Sequence, residues 1–196
     1  EILMDMGVEF RPLVTLITYV VVDKNDPSFR RPTKPIGPGY TREEAARLPY
    51  PTIATPKGSR RVVASPQPIT IVEKREIQQL LEMDFIVICC GGGGIPVIRK
   101  GRAFSGVDAV IDKDLASALL AEEIAADLFL IATDVPGVMI NFGKPEERVL
   151  HELTLEEAMH HLKNGQFGTG SMKPKVEAAA RFVERTGKRA IVTSIR

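Results

Sequence analysis

An α/β fold with a mostly parallel sheet is what this sequence predicts, and three observations predict it. Short apolar runs alternate with helical stretches from residue 70 onward, the pattern of strands connected through helices. Two Thr-x-x-Glu boxes, Thr70–Glu73 and Thr154–Glu157, mark helix starts. The 196 residues are 44% hydrophobic and 26% charged, globular proportions that fit one domain and argue against disorder or a fibrous repeat.

Taken in order, Glu1–Met6 reads as the tail of an amphipathic helix stopped by Gly7, and the chain, opening on Glu1 and closing at Arg196 just after a strand-like run, reads as a fragment. Leu13–Val22, rich in Val, Ile and Thr, predicts one buried strand. Asp23–Pro68 holds nine of the fourteen prolines and many basic residues. That density disfavours helix and central strand, so 23–68 is expected to be an irregular lid, binding loop or small protruding subdomain, with residues 1–22 and 69–196 as the core. Thr70–Glu73 then opens a helix to about Met83, Phe85–Cys90 is a short strand, and Gly91–Gly94 follows it directly. Leu115–Ala126 is a helix, Leu128–Thr133 a strand, and Asp134–Gly137 a turn. Val138–Phe142 and Arg148–His151 form a hairpin, and Thr154–Glu157 opens a helix to about Lys163. Pro174–Arg185 is a helix with proline in its first turn, and Ala190–Thr193 is a last strand.

Twenty-six basic against twenty-five acidic residues leave a net charge of +1, which offers no field for nucleic acid. No apolar run approaches the roughly 18 residues of a membrane span. Cys89 and Cys90 are adjacent, poorly placed for a structural disulfide, and fit a reducing, cytoplasmic compartment. His151, His160 and His161 lack metal-ligand partners, and Glu73–Glu76 reads as an exposed helix face.

Four places carry candidate chemistry. Gly91, Gly92 and Gly93, with Gly94, follow a strand, where glycines let N–H groups approach an anion; a tight exit turn is the other reading, and the spacing fails a dinucleotide fingerprint. Asp112-Lys113-Asp114 precedes a helix. Carboxylates are expected there, but Lys113 opposes the helix dipole unless an anion such as a phosphoryl group sits between, or unless it pairs with its neighbours. Gly168–Lys175 repeats the arrangement before another helix, with Lys173 and Lys175 among small and hydroxyl residues; it is not a Walker A loop. Thr133-Asp134 ends a strand, where Asp134 orients a lysine, metal or ribose, or simply begins a turn. There is no Ser-His-Asp set and no zinc set, and phosphoryl transfer, which depends on positioning and charge neutralisation, fits what remains.

Cys90–Val97, Val110–Ala121, Thr133–Val138, Asn141–Pro145 and Gly170–Val176 closely resemble the carbamate kinase branch of the amino acid kinase family, and Asn25–Pro27 with Pro32–Pro38 resembles that branch's lid. The resemblance runs from about Arg11 to Arg196. It implies a three-layer αβα sandwich, a homodimer, and reversible phosphoryl transfer between ATP and carbamate with Mg²⁺, giving ADP and carbamoyl phosphate. By motif match it implies that Lys113 and Lys175 neutralise the moving phosphoryl group while Asp112 and Asp114 hold the lysine. Gly91–Gly93 would donate to the carbamate side and Lys34 would reach over it. Thr133, Asp134, Phe142 and Met172 would flank the nucleotide. Against the family pattern, the opening strand with its Gly-Gly-Asn loop and the final segment are missing, Lys173 stands where glycine is usual, and Leu48–Arg60 is short. The competing expectations are another phosphotransferase of the same family or a truncated, non-catalytic nucleotide-binding module.

Overall fold

The computed structural model describes residues 5–7, 11–167 and 172–195. Of the predicted opening helix only Asp5–Gly7 falls within it, a turn ending on Gly7 at φ +73°. The single strand expected over Leu13–Val22 is two: β1 (Leu13–Thr15) and β2 (Tyr19–Val22). The strand alongside them explains the break. β1 pairs in parallel with Ile86–Ile88, β2 pairs in parallel with Ile95–Val97, and between these ladders the 86–97 segment uses extra residues on the glycine turn. Thr18 stands at the break, its hydroxyl accepting from Cys90 N at 3.0 Å and its carbonyl from Ile95 N at 2.8 Å. The glycine turn is thus pinned to the opposite strand from both ends.

The proline-rich insert is more regular than its composition implies. It forms an antiparallel sheet of β3 (Lys34–Tyr40), β4 (Thr52–Thr55) and β5 (Gly58–Val63) in the order β3-β5-β4, with α1 (Arg42–Ala45) capped by a Thr41/Glu44 box. Pro35 and Pro38 sit in β3, an edge strand, where a missing N–H is tolerated, and the register slips between Ile36 and Tyr40; the central β5 has no proline. Density of proline was therefore a poor guide; its placement mattered. Asp26 closes the base of the insert, its carboxylate accepting from Ser28 N at 2.8 Å and Gln67 N at 3.1 Å.

After the insert come β6 (Pro68–Ile71), α2 (Lys74–Glu82), β7 (Ile86–Ile88), β8 (Ile95–Lys100) and β9 (Ala103–Gly106). Neither β6 nor the β8–β9 hairpin was apparent from periodicity. The Thr70–Glu73 box does not cap α2. Thr70 lies in β6, where its hydroxyl donates to Glu123, which also accepts from Ile71 N at 3.0 Å and Lys74 Nζ at 2.7 Å; Glu73 instead accepts from Tyr19 N at 2.8 Å. Glu73 and Lys74 are thus cross-links rather than a solvated face, while Arg75 and Glu76 are exposed.

The remaining elements follow the sequence closely: α3 (Lys113–Glu123), β10 (Leu128–Thr133), β11 (Val138–Ile140), β12 (Arg148–Leu150), α4 (Leu155–Lys163), α5 (Met172–Thr186) and β13 (Arg189–Ser194). The second capping box is real, with Thr154 and Glu157 bonding reciprocally. β10 and β13 pair in parallel along their whole length, β11 and β12 antiparallel, and the sheet order β6-β2-β8-β9 mixes both senses. The result is a mixed α/β fold.

Two helices unite the core. One face of α3 packs Leu119 and Leu120 against Val20, Val22 and Ile71; Ala118 and Ala121 turn to Phe129 and Ile131 of β10. α5 contributes Ala178 and Phe182 to that second cluster and Val176 to a third with Val138 and Ile140. Phe182 is fully buried, and burial of such a side chain contributes about 2–3 kcal/mol. Cys90 is buried in the first cluster, Cys89 packs beside it, and both thiols are free.

Candidate active site

α3 and α5 lie side by side and run the same way, as their cross-links show. Lys175 in the first turn of α5 meets Asp114 in the first turn of α3, and Arg181 further along α5 meets Glu122 near the end of α3. Two helix N-termini, each a positive dipole end, therefore lie at one end of the fold. Asp112 is the N-cap of α3, its Oδ1 accepting from Asp114 N at 3.0 Å.

Each aspartate takes a different lysine. Asp112 Oδ2 accepts from Lys34 Nζ at 2.7 Å, reaching to β3 of the insert, and Asp114 Oδ2 accepts from Lys175 Nζ at 2.9 Å. Burial pushes the Asp112 carboxyl up, but the Lys34 ammonium and the N–H groups of Asp114 and Leu115 outweigh it and hold it below the ordinary carboxylate value. The expectation that Asp112 and Asp114 jointly hold one lysine thus divides in two. Lys113, between them in sequence, is exposed and has no hydrogen-bond or ion-pair partner among the described residues. The helical turn explains this: adjacent residues point about 100° apart, so Lys113 cannot share a face with its neighbours. Lys173 does not join the cluster and pairs along its own helix with Glu177 at 3.6 Å.

The glycine turn abuts this cluster. Gly92, Gly93 and Gly94 have φ of +66°, +106° and +80°. A Cβ on Gly93 would lie 2.3 Å from the carbonyl oxygen of Ile111, the residue before Asp112, whereas Gly91 and Gly92 face open space. Gly93 is thus where the backbone of the turn packs on the start of α3, and Gly91 and Gly92 are where a ligand has room. The tight-turn reading of the glycine run therefore applies at Gly93, and the space an anion would need lies at Gly91 and Gly92.

The other candidates lie around the ends of β10 and β11. Thr133 is buried and its hydroxyl donates to the exposed Asp134 at 3.2 Å. Phe142 is exposed after the left-handed Asn141, and Met172 packs on the cluster of Val138, Ile140 and Val176, next to Lys175. Gly168–Ser171 of the second helix-entry motif lie outside the described residues. Thr18 is the positioning residue that the sequence reading missed; a hydroxyl inside an apolar strand run was its only signal. Among the described residues no three His, Cys, Asp or Glu side chains form a metal cluster, and no helix is long and apolar enough to cross a membrane.

Residues 40–194 match the model of the amino acid kinase family. The chain belongs to that family. It is 50% identical to the carbamate kinase of Thermococcus kodakarensis over 96% of this chain and 61% of that enzyme, and 50% identical to that of Clostridium perfringens over 100% of this chain and 64% of that enzyme. Among solved structures, the carbamate kinase of Giardia lamblia bound to citric acid superposes with a TM-score of 0.89 at 42% identity, covering 98% of this chain and 62% of that one. The same enzyme bound to AMP-PNP gives 0.85 at 45% identity, covering 98% and 63%. The chain therefore spans about three-fifths of the length of these relatives, and its fold is that of the amino acid kinases.

Proposed function

We propose that this chain carries the larger part of a carbamate kinase, which transfers a phosphoryl group reversibly between ATP and carbamate. The observation that carries the reading is the double pairing at one helix entry, Lys34 with Asp112 and Lys175 with Asp114, in a chain half identical to carbamate kinases. Phosphoryl transfer asks a protein chiefly to place cations around oxygens whose charge is redistributing. Lys175 is a preplaced cation, held by a carboxylate rather than free to reorient, and the α5 N-terminus adds its dipole in the same direction. Lys113, exposed at the start of α3 and without a partner among the described residues, has its charge available to an arriving phosphoryl group. Gly91 and Gly92 offer N–H groups to carbamate, whereas the Gly93 N–H, expected to join them, is already donated to Cys90 O at 2.9 Å; Lys34, carried by the insert acting as a lid, closes over the same substrate.

On this reading ATP or ADP lies along the Thr133, Asp134, Phe142 and Met172 side, the region where Met172 and Lys175 share a helix turn. Mg²⁺ bound with the nucleotide would supply charge neutralisation at the phosphate oxygens, and because Mg²⁺ sites generally use phosphates, waters and only one or two carboxylates, a dedicated side-chain cluster would not be needed. Asp112 and Asp114 are engaged by lysines, so of these three aspartates Asp134, exposed and accepting only from the Thr133 hydroxyl among the described residues, would hold the ion. A homodimer in the cytoplasm, acting on small molecules rather than nucleic acid or membrane, belongs to the same proposal.

The test is a coupled assay of ATP formation from ADP and carbamoyl phosphate on the full-length protein. ATP formation that depends on carbamoyl phosphate supports the reading. Formation only with a different acyl phosphate assigns another branch of the family, and nucleotide binding without turnover assigns a non-catalytic module.

A further inference from the structure

Lys34 reaches Asp112 only if the insert sheet sits in one place, and two side chains of its central strand region bear on how it is seated. In the β3–β5 ladder Lys34 stands opposite Val63 and Ile36 opposite Arg61, so Lys34 and Arg61 lie on the same face of the insert sheet, diagonal to one another. Both reach the stretch from Asp108 to Asp112. Arg61 approaches Asp108 Oδ2 at 3.6 Å and Lys34 binds Asp112 Oδ2 at 2.7 Å. Midway between the two aspartates, Val110 N donates to Ala64 O at 2.9 Å, and Ala64 bridges Ala109 just beyond the end of β5. The insert is therefore docked on residues 108–112 through a central backbone hydrogen bond with an ionic contact on either side.

Arg61 is built in more firmly than its distance to Asp108 suggests. Its guanidinium lies over the ring of Tyr50, 4.8 Å from the centroid, and the Tyr50 hydroxyl in turn meets that of Tyr40 at 3.4 Å. Its Nε is buried and has no hydrogen-bond partner among the described residues. The ring contact and the ion pair hold the guanidinium from two sides, with Nη2 directed at Asp108. We propose that Arg61 is a positioning residue for Lys34: stacked on Tyr50 and paired with Asp108, it seats the insert on residues 108–112 so that the Lys34 ammonium is delivered to the Asp112 site. The kinetic half of this inference rests on the carbamate kinase reading; the docking half does not.

The experiment uses the full-length protein with four variants: R61A, K34A, R61A/K34A and D108N. Two quantities are read, hydrogen exchange at the Val110 amide and ATP formation from carbamoyl phosphate. The loss of a stacked cation and one exposed ion pair should speed Val110 exchange about ten-fold in R61A, and D108N, altered at an exposed side chain, should speed it about three-fold. ATP formation in R61A should fall by a similar factor. In the K34A background R61A should add no further loss, because Arg61 acts through Lys34, whereas a general structural defect would multiply with it. Unchanged Val110 exchange in both R61A and D108N overturns the docking role, with D108N deciding alone if R61A does not fold. Multiplying rate losses overturn the action through Lys34. If the wild-type protein forms no ATP from carbamoyl phosphate, the functional reading falls while the exchange data still decide the docking.

Discussion

The Lys175 ammonium lies 2.9 Å from an Asp114 carboxylate oxygen, with side-chain exposures of only 11% and 13%. A charge pair so enclosed contributes to stability mainly because neither partner can be left alone there. Lys175→Ala strands a buried carboxylate and should cost about 3 kcal/mol of stability as well as activity. Replacing both partners, as Lys175→Met with Asp114→Leu, should restore most of the melting temperature and none of the turnover. Thermal melts and the ATP-formation assay on the same three proteins separate the two effects; recovery of turnover in the double variant would remove Lys175 from the chemistry.

Lys113 should behave in the opposite way. It is exposed and unpaired among the described residues, and it sits at the positive end of α3. Lys113→Ala relieves a charge–dipole repulsion and should leave the protein as stable or more stable by about 0.5 kcal/mol. If the charge serves the phosphoryl group in transit, the same variant should lose roughly 10²–10³ in kcat with little change in nucleotide KM. Denaturant titration beside steady-state kinetics checks both signs. A variant that is more stable and fully active would make Lys113 an ordinary surface lysine.

How legible this was depended on the range of the interaction. Thr154–Glu157, β10 and α5 were readable because their signals are local: a cap, an apolar run, a proline at a helix entry. The break at Thr18 was not, because it is set by the glycine turn on a strand some seventy residues away. The Thr70–Glu73 box failed for the same reason, its threonine being drawn to Glu123 across the fold. At the site, sequence brought Asp112, Lys113, Asp114, Lys175 and Lys34 to notice, yet which aspartate holds which lysine is a tertiary matter that adjacency obscured.

The Lys34–Asp112 contact should give the insert a defined acid sensitivity. The Asp112 carboxyl is held below its ordinary value, so the folded state binds this proton less readily than the unfolded chain. Its stabilisation is complete above the unfolded value of about 3.9 and is lost as pH falls through the lower folded value. Asp112→Asn keeps a good helix N-cap but removes the charge. With Lys34 a third exposed, the stability difference between wild type and Asp112→Asn should be about 1 kcal/mol at pH 7 and should shrink only below about pH 4. Denaturant midpoints across pH 2.5–7 check this, and a gap that closed near pH 6 would point to a different titrating group.

The glycine turn offers the sharpest separation of folding from substrate binding. Gly93→Ala would drive a methyl group to 2.3 Å from the Ile111 carbonyl oxygen at a φ of +106°, so the turn, the start of α3 and with them Asp112 must move. That variant should melt far lower or fail to fold, and it says nothing about substrate. Gly92→Ala meets no neighbour but keeps a φ of +66°, a strain of about 1 kcal/mol. Gly91→Ala has neither obstacle, with open space around its Cβ and no left-handed backbone to maintain. If carbamate approaches the N–H groups here, Gly91→Ala should melt within about 0.5 kcal/mol of wild type and raise the KM for carbamoyl phosphate several-fold, with the KM for ADP unmoved. Melts and two-substrate kinetics on Gly91→Ala alone are enough: an unchanged KM for carbamoyl phosphate in a fully folded variant would move the acid substrate away from this turn and leave it the single task of holding Gly93 against Ile111.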